Sequence, residues 1–213
     1  MIEYRGIKIL FENGYIRTNG LYKLIDKEFM ISIKKMLQDE YIELIRYLIN
    51  YVIDSKPTIT PDQTIAYHSW LVKCCVLSEL YYEIREVQSN GEGFVEGADY
   101  AIKVVQEQKQ LCQKYGATPI FPIFNQMIVI SKGVYEGLAV EALRYPSPEH
   151  MSGWWLTTDL YDDNVESLMT VHYHHVAFMR PEIIKYFALP YGYRFYISEK
   201  EQDIWFDENA LVD

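Results

Sequence analysis

TPDQTIAYHSWLVKCCVLSELYYEIREV, residues 60–87, is the stretch that decides the fold class predicted for the first half of the chain. Thr60 can cap the free amides of a helix, Pro61 suits the first helical position, and Gln63 can reach back to complete a capping box. The apolar residues that follow recur at helical spacing: Ile65, Val72, Val76, Leu80, Ile84 and Val87. This stretch therefore predicts a helix that ends at Asn90-Gly91.

The segments on either side extend the same pattern. Residues 27–53 carry an apolar stripe with steps of three or four, formed by Met30, Ile33, Leu37, Tyr41, Ile45, Leu48 and Val52. Residues 97–115 predict a third helix, which Gly116 is placed to terminate. Because the connections are short, the three helices should pack as an antiparallel bundle. Ahead of them, Asn13-Gly14 predicts a small hairpin.

The second half of the chain has a different sequence pattern. Prolines separate short β-rich runs at 126–131, 152–158, within 168–178, at 193–198 and at 203–207. Residues 181–187 predict a short helix started by proline. The predicted fold class is α+β, with a helical N-terminal region over residues 1–95. A mostly antiparallel sheet domain with one or two helices follows over residues 96–213.

Composition and charge point to a folded, acidic protein. The 213 residues are 49% hydrophobic and 23% charged, which is ordinary for a globular chain. Residues 115–213 hold six Lys and Arg against 14 Asp and Glu. This excess repels nucleic acid and would attract a basic protein partner. Simple solubility is the other interpretation. Tyrosine, with 19 copies, suits protein-binding surfaces as well as the edges of a core.

The cysteines and the N-terminus indicate a cytoplasmic protein without membrane contact. Cys74, Cys75 and Cys112 form no CxxC spacing, and they fall in segments predicted to be helices, where a free cysteine is usually buried. The first residues lack a basic region followed by an apolar run. No apolar stretch approaches the roughly 20 residues that a membrane span needs.

No motif carries the signature of an enzyme or of a cofactor site. The sequence has neither a phosphate loop nor a GxSxG elbow. In a strand, His172 and His174 would share one face, with His175 on the other. A metal-dependent hydrolase using His172 and His174 is therefore a minor alternative, with Asp162, Asp163 or Glu166 as a third ligand. Ordinary strand or surface histidines are favoured, so no metal, cofactor or catalysis is predicted.

Two features are candidates for contact with a partner protein. Trp154 and Trp155 are adjacent on a predicted strand, so one should face the core and the other the opposite surface, where it could anchor an interface. Tyr161, Asp162 and Asp163 follow on a predicted loop. Coverage of both tryptophans by helices, and a merely solvated turn at the loop, are the alternative interpretations.

The C-terminal half carries an ordered set of short motifs. These are Leu143-Arg144-Tyr145-Pro146, Ser152-Gly153-Trp154-Trp155, Pro181-Glu182-Ile183-Ile184-Lys185-Tyr186, Leu189-Pro190-Tyr191-Gly192-Tyr193-Arg194-Phe195 and Asp203-Ile204-Trp205-Phe206-Asp207-Glu208. In this order they resemble the bacterial immunity protein thirty-three domain family, over about residues 106–213. The family is found beside polymorphic secreted toxins.

The resemblance implies a cytoplasmic protein that binds a cognate secreted toxin and neutralises it by stoichiometric occlusion. The acidic, aromatic second half fits a basic toxin. An adaptor or scaffold unrelated to toxins, in which the helical half does the binding, is the main alternative.

Overall fold

The computed structural model describes residues 1–34 and 38–212, which form two compact units, Met1–Lys103 and Val104–Asp213. The first unit contains β1 (Ile2–Tyr4), β2 (Ile7–Glu12), β3 (Tyr15–Asn19), α1 (Tyr22–Ile25), β4 (Glu28–Ser32), α2 (Gln38–Ser55), β5 (Thr64–Tyr67), β6 (Trp70–Val76), β7 (Tyr81–Val87) and β8 (Phe94–Glu96). Helix α3 (Asp99–Lys114) begins in the first unit and ends in the second. The second unit contains β9 (Met127–Ile130), β10 (Val140–Arg144), β11 (Met151–Thr157), β12 (Met169–His172), α4 (Tyr173–Met179), β13 (Tyr193–Ile197) and β14 (Gln202–Phe206).

The first unit is built on a sheet, not on a helical bundle. Its strands lie in the order β1-β2-β3-β4-β7-β6-β5, with β8 beside β7. Strands β4 and β7 are parallel, and the other pairs are antiparallel. The hairpin at Asn13-Gly14 is present between β2 and β3, with φ of 41° and 84° at its two central residues. The predicted N-terminal helical bundle is therefore wrong.

The helix predicted over residues 60–87 is replaced by β5, β6 and β7. Half of the capping box does form, since the Thr60 N–H donates to Gln63 Oε1 at 3.1 Å. However, Asp62 adopts a φ of 66°, in the left-handed region, so the chain turns there instead of entering a helix. The hydrogen bond predicted from the Thr60–Gln63 pattern is therefore present, but it stabilises a turn and not the start of a helix.

The buried side chains of β5 and β6 follow a period of two, not 3.6. They are Ile65 and Tyr67 in β5, and Trp70, Val72 and Cys74 in β6. Val76 and Leu80, which the helical prediction placed on the buried face, are 53% and 44% exposed. Cys74 and Cys75 consequently lie in β6, while Cys112 lies in α3 as predicted.

The helix predicted over residues 27–53 is correct only in its second part. Residues Glu28–Ser32 form β4, and α2 runs from Gln38 to Ser55. The buried face of α2 consists of Tyr41, Ile42, Leu44, Ile45, Leu48, Ile49 and Val52. Leu37, which was assigned to the same stripe, lies outside the described residues. In β4, Glu28 is buried and accepts the Thr18 hydroxyl at 2.7 Å and the Tyr22 N–H at 2.9 Å.

A buried carboxylate caps the start of α3. Glu86, in β7, accepts the backbone N–H of Tyr100 at 3.2 Å and that of Ala101 at 2.6 Å. These N–H groups belong to the first helical turn and have no acceptor within the helix. The helix dipole also favours a negative charge there. Burial acts in the opposite direction and raises the pKa of Glu86 to about 7.

We expect Glu86→Gln to flatten the pH dependence of stability in the first unit. Because the folded pKa of Glu86 lies above its unfolded value, its contribution is fully present below about pH 4.5 and is lost as the pH rises through about 7. The difference amounts to roughly 3 kcal/mol across that window. Urea unfolding at several pH values, followed by hydrogen exchange in peptides from residues 82–103, measures it. Equal slopes for wild type and Glu86→Gln would contradict the expectation.

The second unit contains a six-stranded sheet in the order β12-β9-β11-β10-β13-β14. Strands β9 and β11 are parallel, and the remaining neighbours are antiparallel. The strands predicted at 126–131, 152–158, 193–198 and 203–207 are present, and residues Pro181–Tyr186 form the predicted short helix, of the 3₁₀ type. Strand β10 was not predicted. Among the described residues, no helix has both the length and the apolar character that crossing a membrane requires.

Candidate functional site

The two adjacent tryptophans of β11 point in opposite directions, as alternation along a strand requires. Trp154 is fully buried, and its Nε1–H donates to the Phe187 carbonyl at 2.9 Å. Trp155 is only partly buried and packs edge-on against Tyr145, with ring centroids 5.9 Å apart. Trp154 thus supports the core of the unit, whereas Trp155 is the member of the pair that solvent reaches.

The predicted loop residues lie in the connection between β11 and β12. Asp162 and Asp163 are exposed, and Tyr161 is partly exposed. Asp162 Oδ1 accepts the Ser167 hydroxyl at 2.8 Å and the Asn164 N–H at 3.2 Å, and the Ser167 hydrogen bond keeps the pKa of this carboxyl below its usual value. Asp162 therefore shapes the loop while it remains charged.

The same connection, residues 159–168, exposes apolar side chains between its carboxylates. We call it the acidic loop. Leu160 is 51% exposed and Val165 is 64% exposed, next to the exposed carboxylates of Asp159 and Glu166. Exposed apolar side chains surrounded by charges of one sign are typical of a protein-binding surface. Burial of the apolar side chains stabilises a complex, and the charges attract an oppositely charged partner over a long range.

The histidines do not share a strand face, because β12 ends at His172 and the next residues form α4. Their rings still cluster: centroids are 5.3 Å apart for His172 and His174, and 4.4 Å apart for His174 and His175. His174 Nδ1 lies 2.9 Å from the Phe124 carbonyl oxygen, which can only accept, so this nitrogen carries the proton. Burial lowers the pKa of His174, which favours its neutral form.

The described residues contain no metal-binding geometry of the kind that the hydrolase alternative requires. No group of three or more His, Cys, Asp and Glu side chains in that part of the chain could hold a metal ion. Cys112 is buried, its Sγ–H donates to the Ala188 carbonyl at 3.3 Å, and burial raises the pKa of its thiol to about 11. A thiol with that pKa carries little thiolate at neutral pH and is a poor nucleophile.

A cleft of about 460 Å³ lies beside β13, where it is lined by Arg180, Glu182 and the turn after Ile197. Arg180 is already engaged, since its Nη1 donates to the Val134 carbonyl at 2.6 Å and its Nε to Glu182 at 2.5 Å. Arg180 and Glu182 therefore neutralise each other in this cleft.

The ordered motifs of the second half meet around one buried arginine. Arg144, at the end of β10, is 1% exposed, and its guanidinium donates to four backbone carbonyls. These are Ser152 O at 2.9 Å, Ile120 O at 2.6 Å, Leu189 O at 2.6 Å and Phe187 O at 3.1 Å. The guanidinium also lies over the ring of Tyr191, 5.0 Å from its centroid. Residues of two further motifs thus contact the arginine of a third, so these three motifs meet in the interior of the unit.

Comparison with known families matches this same region. The model of a family described as Imm33-like domain matches residues 107–207. Searches of curated proteins and of solved structures gave no match.

Proposed function

Residues 107–207 belong to the Imm33-like domain family, and from this premise we propose that the chain is an immunity protein of a polymorphic toxin system. It acts in the cytoplasm, where it binds a cognate secreted toxin as a stoichiometric inhibitor without catalysis of its own. Family membership is the observation that carries the proposal.

The contact surface that we propose consists of the acidic loop, which includes Tyr161, Asp162 and Asp163, together with Trp154 and Trp155, of which Trp155 is the accessible ring. The exposed carboxylates would attract a basic toxin and speed its encounter. Leu160 and Val165 would supply apolar area to be buried on binding. Occlusion follows if this surface covers the active site of the toxin or its substrate groove.

The direct test uses the toxin domain that this proposal expects in an adjacent gene. The purified chain should form a one-to-one complex with that domain in light scattering and calorimetry. Its expression should also restore growth to cells that produce the toxin domain. Absence of both the complex and the protection would end the proposal.

Charge reversal in the acidic loop should weaken the complex. The triple variant Asp159→Lys, Asp163→Asn, Glu166→Lys keeps Asp162, which shapes the loop, and Asn tolerates the left-handed φ of 58° at position 163. We expect the dissociation constant to rise by about 30-fold, mainly through slower association that becomes insensitive to salt. Stopped-flow binding at several salt concentrations measures both quantities.

The control applies the same change in net charge elsewhere in the second unit. Glu199→Lys, Glu201→Lys and Glu208→Gln replace exposed carboxylates around β14. This variant should change the dissociation constant by less than about threefold. Equal effects from the two variants would mean that overall charge, and not the acidic loop, governs binding.

A further inference from the structure

Strand β12 is an outer strand of the six-stranded sheet, and only one of its sides is paired in the described part of the chain. It pairs with β9 in an unbroken antiparallel register, from Met169 opposite Ile130 to His172 opposite Met127. The N–H of Tyr173 donates to the Gln126 carbonyl at 2.8 Å, one step further in the same register. Since donors alternate along an antiparallel strand, Met169 and Val171 also face β9.

The backbone groups of Thr170 and His172 consequently point away from the sheet. Both residues are exposed, so solvent reaches this edge. Thr170 offers one N–H donor and one C=O acceptor to a further strand, and His172 offers its N–H; the His172 carbonyl, at the N-cap of α4, accepts the first hydrogen bond of that helix. An additional strand placed there would satisfy these three groups.

Natural sheets usually protect such an edge, and the opposite edge of this sheet is protected. In β14, the outward N–H of Ile204 donates to the Asp203 carboxylate at 2.8 Å. By contrast, β12 consists of Met169-Thr170-Val171-His172, with no lysine, proline or acidic side chain and no bulge in its pairing with β9. Edges without these features are templates for strand addition.

The surroundings of β12 define the charge of the strand that it would accept. The acidic loop ends directly before Met169, so the carboxylates of Asp159, Asp162, Asp163 and Glu166 lie on the segment that leads into this edge. An incoming segment with Lys or Arg side chains would be attracted, and an acidic one would be repelled. Charge complementarity thus selects a cationic strand.

We propose that the toxin presents an extended, Lys- or Arg-bearing segment that pairs with β12 as a seventh strand of the sheet. This inference rests on the proposed function and names the mode of binding. Main-chain hydrogen bonds to Thr170 and His172 provide the pairing, and the acidic loop selects the charge of the segment.

The substitution Thr170→Pro tests the strand pairing by removing one backbone N–H donor. Proline removes the outward N–H of position 170 and leaves the donors of Met169 and Val171 to β9 intact, and proline is tolerated on edge strands. With the toxin domain from the adjacent gene as probe, we expect affinity to fall by about 100-fold, through the lost hydrogen bond and the steric block to a pairing strand. Thr170→Val, which alters the side chain but keeps the N–H, should bind within about threefold of wild type.

Gln202→Pro is the matched control on β14. The N–H of Ser198 donates to the Glu201 carbonyl at 2.9 Å, so the register of β13 and β14 turns the N–H of Gln202 outward as well. This variant should bind like wild type. Should Thr170→Pro prove unstable, hydrogen exchange on the wild-type chain gives the same information, because the amides of Thr170 and His172 should exchange quickly alone and slowly in the complex.

The outcomes separate this inference from the proposed function. If the wild-type chain binds the toxin domain but Thr170→Pro binds equally well, or if the two amides stay unprotected in the complex, strand addition is overturned and the immunity function stands. Binding that increases with salt would overturn the cationic segment. A wild-type chain that does not bind at all would end the proposed function and this inference together.

Discussion

Replacing Arg144 with alanine is expected to destabilise the second unit by about 4 kcal/mol. The guanidinium is 1% exposed and supplies donors to four backbone carbonyls from three separate parts of the chain. Its removal leaves the carbonyls of Ile120, Ser152 and Leu189 without this donor, and it opens a cavity beside Trp154. Urea unfolding followed by tryptophan fluorescence reports on this unit, since Trp154, Trp155 and Trp205 all lie in it.

Two further variants identify the cause of the loss. Arg144→Met keeps most of the side-chain volume, so it should recover the cavity contribution and still lose about 2 kcal/mol through the unsatisfied carbonyls. Arg194→Ala, on the neighbouring strand β13, removes an arginine that pairs with Glu141 and Asp207 but is 27% exposed. It should cost only about 1 kcal/mol. An Arg144→Ala variant as stable as Arg194→Ala would show that the buried hydrogen bonds contribute little.

The position of Arg144 explains why the motifs identify the domain family but not a binding partner. Arg144, Ser152 and Leu189 come from three motifs that made the resemblance recognisable, and they meet in the interior. Such residues specify the domain, because each stabilises the same core. They carry no information on the identity of a partner, for which we propose the exposed side chains of the acidic loop.

Sequence reasoning succeeded where the deciding signal is local. Asn13-Gly14 forms the expected hairpin turn, because its residues accept positive φ at low cost. Helix α3 ends at Lys114, and Gly116 follows in the left-handed conformation. Strand geometry alone also places Trp154 and Trp155 on opposite faces, but it did not decide between one accessible ring and coverage of both rings by helices.

Sequence reasoning failed where pairing with residues far away in the sequence determines the structure. Residues 60–87 have apolar spacings compatible with both a helix and strands, and pairing between β6 and β7 favours strands. Parallel pairing of β4 with β7 joins residues about 50 positions apart, which no local pattern reveals. For the same reason the outer position of β12 could not be predicted, because the order of strands in a sheet is a tertiary property.

Gly153→Ala is expected to destabilise the second unit by roughly 3–5 kcal/mol, or to prevent its folding. Gly153 lies in β11 between Met151 and Trp155, where the register with β9 shifts, and its φ is 84°. A side chain there would be strained, and its Cβ would overlap the carbonyl oxygen of Tyr145 and press on the ring of Tyr191. The backbone cannot easily retreat, since the Tyr145 N–H donates to the Gly153 carbonyl at 2.9 Å.

Gly137→Ala separates conformational strain from overlap. Gly137 lies in the same unit with a φ of 85°, but no atom lies within 4 Å of the position that a Cβ would occupy. Strain alone should therefore cost about 1 kcal/mol at this position. The difference between the two variants in urea unfolding measures the overlap at Gly153. Equal losses would mean that the strand shifts to accommodate the methyl group, and the glycine of the SGW motif would then be required only for its φ.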